Sequence, residues 1–214
     1  MAFDGITIAA MVSELNKNLS GGRINKIAQP ESDELLITGK GANGQKRLLL
    51  SASASLPLIY FTGKNRISPL TAPNFCMLLR KHIGSARITA IRQPGLERVV
   101  EFELEHLNEL GDVCHKVLIM ELMGKHSNII FCDDNNMILD SIKHVSCNVS
   151  SVREVLPGRP YFIPHTQDKL DPLTISREDF MEKVCGRSNA VSKALYQTLT
   201  GFSPVMAQEL CIQG

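Results

Sequence analysis

The sequence predicts an α+β protein, in which an antiparallel β-sandwich with two helices precedes the beginning of an all-helical module. Three observations lead to this fold class. Up to nine short β-type runs are separated by Gly, Asn, Pro and Ser, and two segments of helical periodicity interrupt them. Beyond residue 172 the apolar period is helical alone. We therefore predict a first domain over residues 1–172 and the start of a helical domain, cut short, over 173–214.

The chain begins with a predicted amphipathic helix. Its apolar positions recur at three- and four-residue spacing, and they are Ile8, Met11, Val12, Leu15 and Leu19. Asp4 suits the N-cap, and Gly21 with Gly22 suits the end of the helix. A second helix is indicated by PNFCMLLRKHIG, where Pro73 fits the first turn and Gly84 fits the end.

The β-type runs lie on both sides of the second helix. They are RINKIAQ, ELLIT, KRLLLSA, LPLIYFT, ARITAIRQ, RVVEFELE, CHKVLIMEL, SNIIFCD and MILDSIKHV. In VVEFELE, apolar residues alternate with Glu101, Glu103 and Glu105, which predicts one buried face and one acidic, solvated face. The four residues 133–136, DDNN, have the composition of a tight hairpin turn.

Residues from about 145 to 175 are rich in Pro, Gly and Ser and are predicted to form a long surface connection. Three helical segments follow, with Ser176 and Ser203 as expected N-caps and Pro204 in a first turn. Because the sequence stops within this helical pattern, we expect an N-terminal piece of a longer protein.

The overall composition limits the classes of function. The 214 residues carry a formal net charge of only +1, so any nucleic-acid contact must come from local patches. The first residues lack the basic segment of a signal peptide, and no apolar run is long enough to span a membrane, so we expect a cytosolic protein without a membrane partner. The six cysteines have no metal-ligand spacing and are predicted to be buried, reduced thiols, with no metal site.

Catalytic motifs are absent from the sequence. The stretch ELMGKHSNIIF resembles a phosphate-binding loop, but position 119 is Ile instead of Gly and position 126 is His instead of Ser or Thr. A strand and not a helix is predicted to follow it, so no helix N-terminus would receive a phosphate. We interpret the stretch as a strand, a turn and a strand, and we expect no catalytic residue, no cofactor and no enzymatic activity.

Small polar and basic clusters remain at the predicted ends of strands and helices. The candidate RNA-binding residues are Asp4, Arg80, Lys81, Glu97, Arg98, Lys125, His126, Asn128, Lys143 and His144. Positive charge beside hydrogen-bonding side chains suits the backbone of a structured RNA. Ordinary turn residues and surface charges are the alternative, and Arg80 and Lys81 would also complement the C-terminal dipole of the second helix.

The same clusters carry a family resemblance. Eight motifs occur in matching order along the chain, namely MAFDGI, GGRINKI, FCMLLRKHI, GLERVV, MGKHSNIIF, DSIKHV, LPGRPY and GFSP. Together they resemble the NFACT-N domain of the bacterial fibronectin-binding-protein-A-like ribosome quality-control family. The resemblance implies a fold similar to the N-terminal β-sandwich of formamidopyrimidine-DNA glycosylases, followed by a module similar to a helix-hairpin-helix domain.

The resemblance also implies a function for the longer protein. Members of this family bind a large ribosomal subunit that still carries peptidyl-tRNA, and they recruit alanyl-tRNA so that the ribosome adds alanine without a template. An Asp-Arg pair after Gly-Leu is the family signature for tRNA engagement, and this sequence has Glu97 and Arg98 there. Arg98 is the strongest candidate because a guanidinium pairs bidentately with phosphate or a base edge.

Two other functions compete with this one. The older family name suggests a surface adhesin for fibronectin or fibrinogen, but the sequence offers no signal peptide, wall anchor or disulfide framework for it. A DNA glycosylase would need an N-terminal proline amine and an adjacent glutamate. Ala2 and Phe3 occupy those positions, so the Schiff-base chemistry has no nucleophile.

Overall fold

A computed structural model of the chain describes residues 3–164 and 168–213. Ala2, where the glycosylases have their catalytic proline, lies outside the described residues. So do residues 165–167 of the predicted surface connection and the terminal Gly214.

Nine strands and five α-helices form the described chain. The strands are β1 (Arg23–Ala28), β2 (Glu34–Gly41), β3 (Gly44–Ser51), β4 (Leu58–Phe61), β5 (Arg87–Arg92), β6 (Val99–Leu107), β7 (Val113–Glu121), β8 (Asn128–Asp133) and β9 (Ile138–Ser141). The helices are α1 (Gly5–Leu19), α2 (Asn74–Ile83), α3 (Arg177–Phe180), α4 (Val191–Thr198) and α5 (Pro204–Gln213). A π-helical turn, Met181–Cys185, continues α3. The predicted α+β class is confirmed, and each predicted β-type run overlaps one strand.

All nine strands belong to one antiparallel sheet in the order β4-β3-β2-β1-β5-β6-β7-β8-β9. The sequence predicted a sandwich, which would have two separate sheets. The difference arises between β1 and β5, because these strands pair at their first residues, Arg23 and Arg87, and this pair joins the two halves of the sheet. Both halves face one core, in which Ile37 of β2 and Phe102 of β6 line the same small apolar cavity.

The two helices of the first part pack on this core because their apolar residues lie on one side. Asp4 caps α1 by accepting a hydrogen bond from the backbone N–H of Thr7, as its position predicted. Ile8 and Leu15 are fully buried against the sheet. Helix α2 ends at the predicted Gly84, and the His82 ring lies 6.0 Å from the ring of Phe131 on β8.

The outer face of β6 is less solvated than its alternating pattern predicted. Val100, Phe102 and Leu104 are buried as expected, but Glu101 is half-buried. Burial and the neighbouring charge of Glu103 raise the pKa of the Glu101 carboxyl. The segment that follows β9 packs Val155 and other apolar residues over this face, a long-range contact that strand periodicity does not reveal.

The C-terminal helices enclose a small core of their own. Its buried members are Val184, Ala194, Leu195, Leu199 and Ala207. Ser176 caps α3 as predicted, by accepting from the N–H of Asp179. A parallel bridge between Leu170 and Leu199 attaches the connecting segment to α4, and the proposed domain boundary after residue 172 stays a prediction.

The cysteines differ from the sequence prediction. Cys76 and Cys132 are buried, but Cys147, Cys185 and Cys211 are exposed. Cys147 lies in a loop, and the other two lie on the solvent sides of helical segments. Within residues 3–164 and 168–213, no helix has the length and apolarity that crossing a bilayer requires.

Candidate nucleic-acid interface

A polar cleft opens where the first and last parts of the described chain meet. The start of α1, the loop between β5 and β6, and the loop before α5 form its walls. Its volume is about 400 Å³, and its lining residues are Phe3, Asp4, Gly5, Leu96, Glu97, Arg98, Pro164, Lys169, Thr200, Gly201, Phe202, Ser203 and Pro204. Three of the predicted site residues, Asp4, Glu97 and Arg98, are therefore brought together, although more than ninety positions separate Asp4 from the other two.

Asp4 connects the first turns of two helices. Its Oδ1 accepts hydrogen bonds from the N–H and hydroxyl of Thr7, at 2.8 and 2.7 Å. Its Oδ2 accepts a hydrogen bond of 2.6 Å from the Ser203 hydroxyl, whose oxygen accepts in turn from the N–H of Met206 in α5. Burial alone would raise the pKa of Asp4, but the hydrogen bonds from Ser203 and Thr7 outweigh it and lower the pKa.

Glycine permits the close packing of backbone around this carboxylate. The N–H of Gly5 donates to the carbonyl of Gly201 at 2.9 Å. A Cβ on Gly5 would lie 2.0 Å from the carbonyl oxygen of Leu96, so only glycine fits. The Gln93 amide donates to the carbonyls of Gly5 and Glu97 at 2.8 and 2.9 Å, which fixes the β5–β6 loop against α1.

Arg98 and Glu97 are half-buried on this fixed loop. Neither side chain has a hydrogen-bond or ion-pair partner among residues 3–164 and 168–213, and the two do not pair with each other there. Lys169 also lines the cleft, with its ammonium donating to the carbonyl of Tyr196 at 2.7 Å. Burial and the nearby charge of Arg98 lower the pKa of Lys169. The cleft thus holds an available guanidinium next to a second cation.

The turn between β7 and β8 projects Lys125 and His126 into solvent. Gly124 begins a short 3-10 turn with a φ of 58°, the left-handed conformation that glycine favours. The buried Ser127 hydroxyl accepts from the N–H of Met123 at 2.8 Å and holds the turn closed. The predicted strand, turn and strand is confirmed.

Asn128 and Lys143 use their polar atoms to hold this turn in place. The Asn128 amide donates to the carbonyl of Lys143 at 2.9 Å and accepts from its N–H at 3.1 Å. The Lys143 ammonium donates to the carbonyl of Ala52 and, at 3.3 Å, to that of Ser127. These contacts join β8, the end of β9 and the other half of the sheet, so both side chains are occupied within the protein.

A buried ion pair supports the same region. Glu121, at the end of β7, is fully buried and binds the Arg153 guanidinium with both oxygens, at 2.6 and 2.5 Å. The Tyr161 hydroxyl donates to the same carboxylate at 3.0 Å, and burial with the Glu121 charge raises the pKa of that phenol. The N–H of Leu122 donates to the Arg98 carbonyl at 2.9 Å, so this cluster adjoins the loop that carries Arg98.

The remaining predicted site residues lie elsewhere. Arg80 and Lys81 are exposed on α2, and the Nε of Arg80 donates to the carbonyl of Ile27 in β1 at 2.8 Å. His144 is exposed and contacts the Asp140 carboxylate at 2.7 Å. The structure therefore separates the candidates into a cleft group, a turn group, a pair on α2 and the single His144 after β9.

Sequence reasoning missed Lys169 and the second role of Ser203. Lys169 lies in the Pro-rich segment that was interpreted only as a connection, and no local pattern distinguishes it. Ser203 was identified as an N-cap, but its partner Asp4 is 199 residues away. Only the folded chain reveals such a contact.

Known proteins with the same sequence pattern identify the family. The sequence profile of the family described as NFACT N-terminal and middle domains matches residues 4–213. The chain belongs to this family. The NFACT chain is 41% identical over 212 residues to the Rqc2 homolog RqcH of Bacillus subtilis, in an alignment that covers 98% of the chain and 37% of that relative. It is 24% identical over 211 residues to the ribosome quality control complex subunit NEMF of Mus musculus, covering 99% of the chain and 19% of that relative.

A solved structure shares the fold of the NFACT chain. The N-terminal part of the fibronectin/fibrinogen-binding protein from Streptococcus suis matches with a TM-score of 0.91 and 37% identity, covering 99% of this chain and 79% of that one. The NFACT chain spans less than two fifths of the length of the curated relatives from B. subtilis and S. suis. The resemblance identified from the eight motifs is confirmed.

Proposed function

We propose that this chain is the RNA-binding N-terminal module of a ribosome quality-control factor. In this proposal the complete protein binds tRNA and a large ribosomal subunit that carries peptidyl-tRNA. Family membership and the names of the B. subtilis and mouse relatives support it. The factor would act in the cytoplasm.

The proposal rests mainly on the position and surroundings of Arg98. Its guanidinium stands half-buried at a polar cleft without a partner among the described residues, on a loop that Gln93 and Gly5 hold in place. An arginine that is fixed and unpaired is prepared to bind a phosphate or a base edge with two parallel hydrogen bonds. Lys169 beside it adds positive charge for the RNA backbone.

The proposed RNA ligand of the cleft is tRNA, and for the complete factor alanyl-tRNA. The module selects and positions this tRNA, and the ribosome forms the peptide bonds that add alanine without a template. The module itself is therefore proposed to be a binding protein and not an enzyme, with no cofactor. Lys125 and His126, on the rigid turn next to the cleft loop, are proposed as additional ribosome or RNA contacts.

The scaffold is proposed to be related to that of the formamidopyrimidine-DNA glycosylases, with the C-terminal helices as the start of a helix-hairpin-helix-like module. Two helices on an antiparallel sheet, followed by helices alone, support this relationship. The residues at positions 2 and 3, Ala and Phe, cannot supply the glycosylase nucleophile and its acidic neighbour. We propose that this glycosylase-like scaffold is used here for binding and not for catalysis.

The test compares Arg98→Ala with Arg92→Ala in the full-length factor. Arg92 is an exposed arginine that pairs with Glu103 at 2.9 Å, so its removal changes net charge equally without touching the cleft. Loss of one bidentate contact costs about 1–3 kcal/mol, so we expect Arg98→Ala to weaken tRNA binding by roughly five- to hundredfold. Arg92→Ala should leave the binding within about twofold.

Arg98→Lys sharpens this test because lysine keeps the charge but not the planar fork. If the Arg98→Lys variant binds tRNA as tightly as the unchanged protein, the contact depends on the positive charge alone. If Arg98→Ala co-purifies with tRNA and large subunits as well as the unchanged protein does, the proposed role of the cleft is wrong. Binding of fibronectin, which is named for the S. suis protein of known structure, is the competing function. Sequencing of the RNA that co-purifies with the full-length factor separates the two.

A further inference from the structure

A second surface with a strong positive charge lies on the outer face of the β1–β2–β3 half of the sheet. The register places Lys26, Thr38 and Arg47 side by side across the three strands. Arg23, Lys40 and Gln45 form the next row in the same way. A β-bulge between Ile24 and Lys26 places both Arg23 and Lys26 on this face, because it absorbs one extra residue. We call these two rows the basic face.

The face points away from the core. The alternate residues of the same strands, such as Ile24, Ile37 and Leu48, are buried under the helices. Lys26 and Lys40 are exposed, and none of the four cations of the basic face forms an ion pair within the part of the chain that the structure describes. Strands β1–β3 contain one acidic residue, Glu34, which lies at the far end of β2 and contacts Arg66 at 3.6 Å.

The outer face of β5 and β6 shows what an ordinary charged face looks like in this protein. There Arg87 lies opposite Glu105, and Arg92 lies opposite Glu101 and bonds to Glu103. Opposite charges across strands stabilise a sheet, and like charges destabilise it. The basic face lacks such pairs of opposite charge across its strands. Its positive charge is local, because the net charge of the whole chain is only +1. The destabilisation of the sheet by these like charges is explained if an external polyanion supplies the missing negative charge.

We infer that the basic face binds the phosphodiester backbone of double-helical RNA, at a site separate from the Arg98 cleft. Neighbouring strands lie about 4.8 Å apart, so Lys26 and Arg47 stand roughly 10 Å apart on a rigid surface, with Arg23 and Lys40 about 7 Å along the strands. Such an array suits a repeating line of phosphates and not one small anion. The inference rests on the proposed function, because it assigns to the module a second contact with structured RNA.

Hydrogen-bonding side chains favour RNA over an anionic membrane. Asn25, Gln45 and Asn65 line a groove of about 280 Å³ together with Lys26 and Arg47. Amide groups suit phosphate and 2′-hydroxyl oxygens in the shallow groove of an RNA helix. Apolar insertion into a membrane surface usually comes from an amphipathic helix, whereas the exposed Ile67 and Leu70 beside this groove lie in a loop.

The experiment measures binding of the full-length factor to a blunt-ended RNA duplex over a series of salt concentrations. Lys26→Gln with Arg47→Gln removes two cations from the basic face. The matched control, Arg92→Gln with Arg159→Gln, removes two exposed cations that lie outside the basic face and pair with Glu103 and Glu154. Each lost phosphate contact lowers the slope of log K against log salt by about 0.9. We expect the first pair to weaken binding by roughly tenfold or more with a smaller slope, and the control pair to change neither.

Equal weakening by both pairs would overturn the inference, since net charge alone would then explain it. Unchanged duplex binding with weaker binding to phosphatidylserine vesicles would also overturn it, in favour of a membrane. Retention of tRNA by the Arg98→Ala variant distinguishes the two proposals. If that variant binds tRNA normally while the Lys26 and Arg47 pair loses the duplex, the cleft proposal is wrong and the basic face stands.

Discussion

The cleft at Arg98 and the turn after β7 adjoin each other but use similar residues in different ways. In the cleft, the Arg98 side chain has no partner among residues 3–164 and 168–213, and glycines and backbone contacts fix the loop that carries it. In the turn, the corresponding polar groups of Asn128 and Lys143 are occupied by the protein itself, and Lys125 and His126 alone point outward. The difference shows that residue type identifies a polar cluster, but the partners of each donor decide whether it can bind a ligand.

Glu121→Ala tests the buried support of the turn and should have the largest effect on stability. The substitution leaves the Arg153 guanidinium buried without its carboxylate, and breaking such a pair costs about 3–5 kcal/mol. Urea unfolding of the variant should show this loss in the free energy of unfolding. Glu154→Ala removes a more exposed partner of Arg159 and should cost less than about 1 kcal/mol. Similar losses for both variants would show that Glu121 has no special structural role.

Asn128→Ala tests whether this side chain maintains the fold. The N–H of Lys143 would lose its partner, while the Lys143 carbonyl would keep its hydrogen bond from the Ser141 hydroxyl, and a buried group left unsatisfied costs about 1–3 kcal/mol. We expect a loss of this size in the free energy of unfolding, measured by urea unfolding. His126→Ala, in the same turn, should stay within about 0.5 kcal/mol because the ring is exposed. A stable Asn128→Ala protein that has lost RNA binding would contradict this structural interpretation.

The sequence predicted the parts of this site that depend on local pattern. Asp4 was identified as a helix cap and Gly124 as a turn residue, because capping and turn chemistry need only a few neighbouring residues. The burial of Glu101 and the hydrogen bonds of the Lys143 ammonium to backbone carbonyls were not predictable. Both depend on segments that are distant in sequence and that the fold brings into contact with these residues. The family resemblance located Arg98, and the fold added Lys169 and Ser203 beside it.

Gly5→Ala tests the close packing that fixes the cleft loop. The added Cβ would lie 2.0 Å from the Leu96 carbonyl oxygen and force the backbone apart, which costs about 1–3 kcal/mol. Because Leu96 precedes Glu97 and Arg98, tRNA binding should weaken together with stability. Gly63→Ala is the control, since a Cβ there would meet no atom within 4 Å. Normal tRNA binding by a destabilised Gly5→Ala protein would show that the exact position of the loop does not matter.

Ser203→Ala tests the contact between the two ends of the chain and should have the smallest effect. The Ser203 hydroxyl lowers the pKa of Asp4, so its removal should raise that pKa, which NMR titration of the carboxyl measures directly. A lowered pKa in the folded state stabilises the protein above the unfolded value of 3.8, and this stabilisation is lost as the pH falls through the folded-state pKa.

At neutral pH we therefore expect the Ser203→Ala variant to be less stable by about 1–2 kcal/mol, because it loses both the hydrogen bond to Asp4 and the cap of α5 at the N–H of Met206. The part of this difference that comes from Asp4 should vanish once the carboxyl is protonated in both proteins. Asp4→Asn should remove the same pH-dependent part, because it has no carboxylate to titrate. Ser13→Ala, on the exposed side of α1, serves as the control. An unchanged pKa of Asp4 in the Ser203→Ala protein would mean that the two helices are not coupled through this carboxylate.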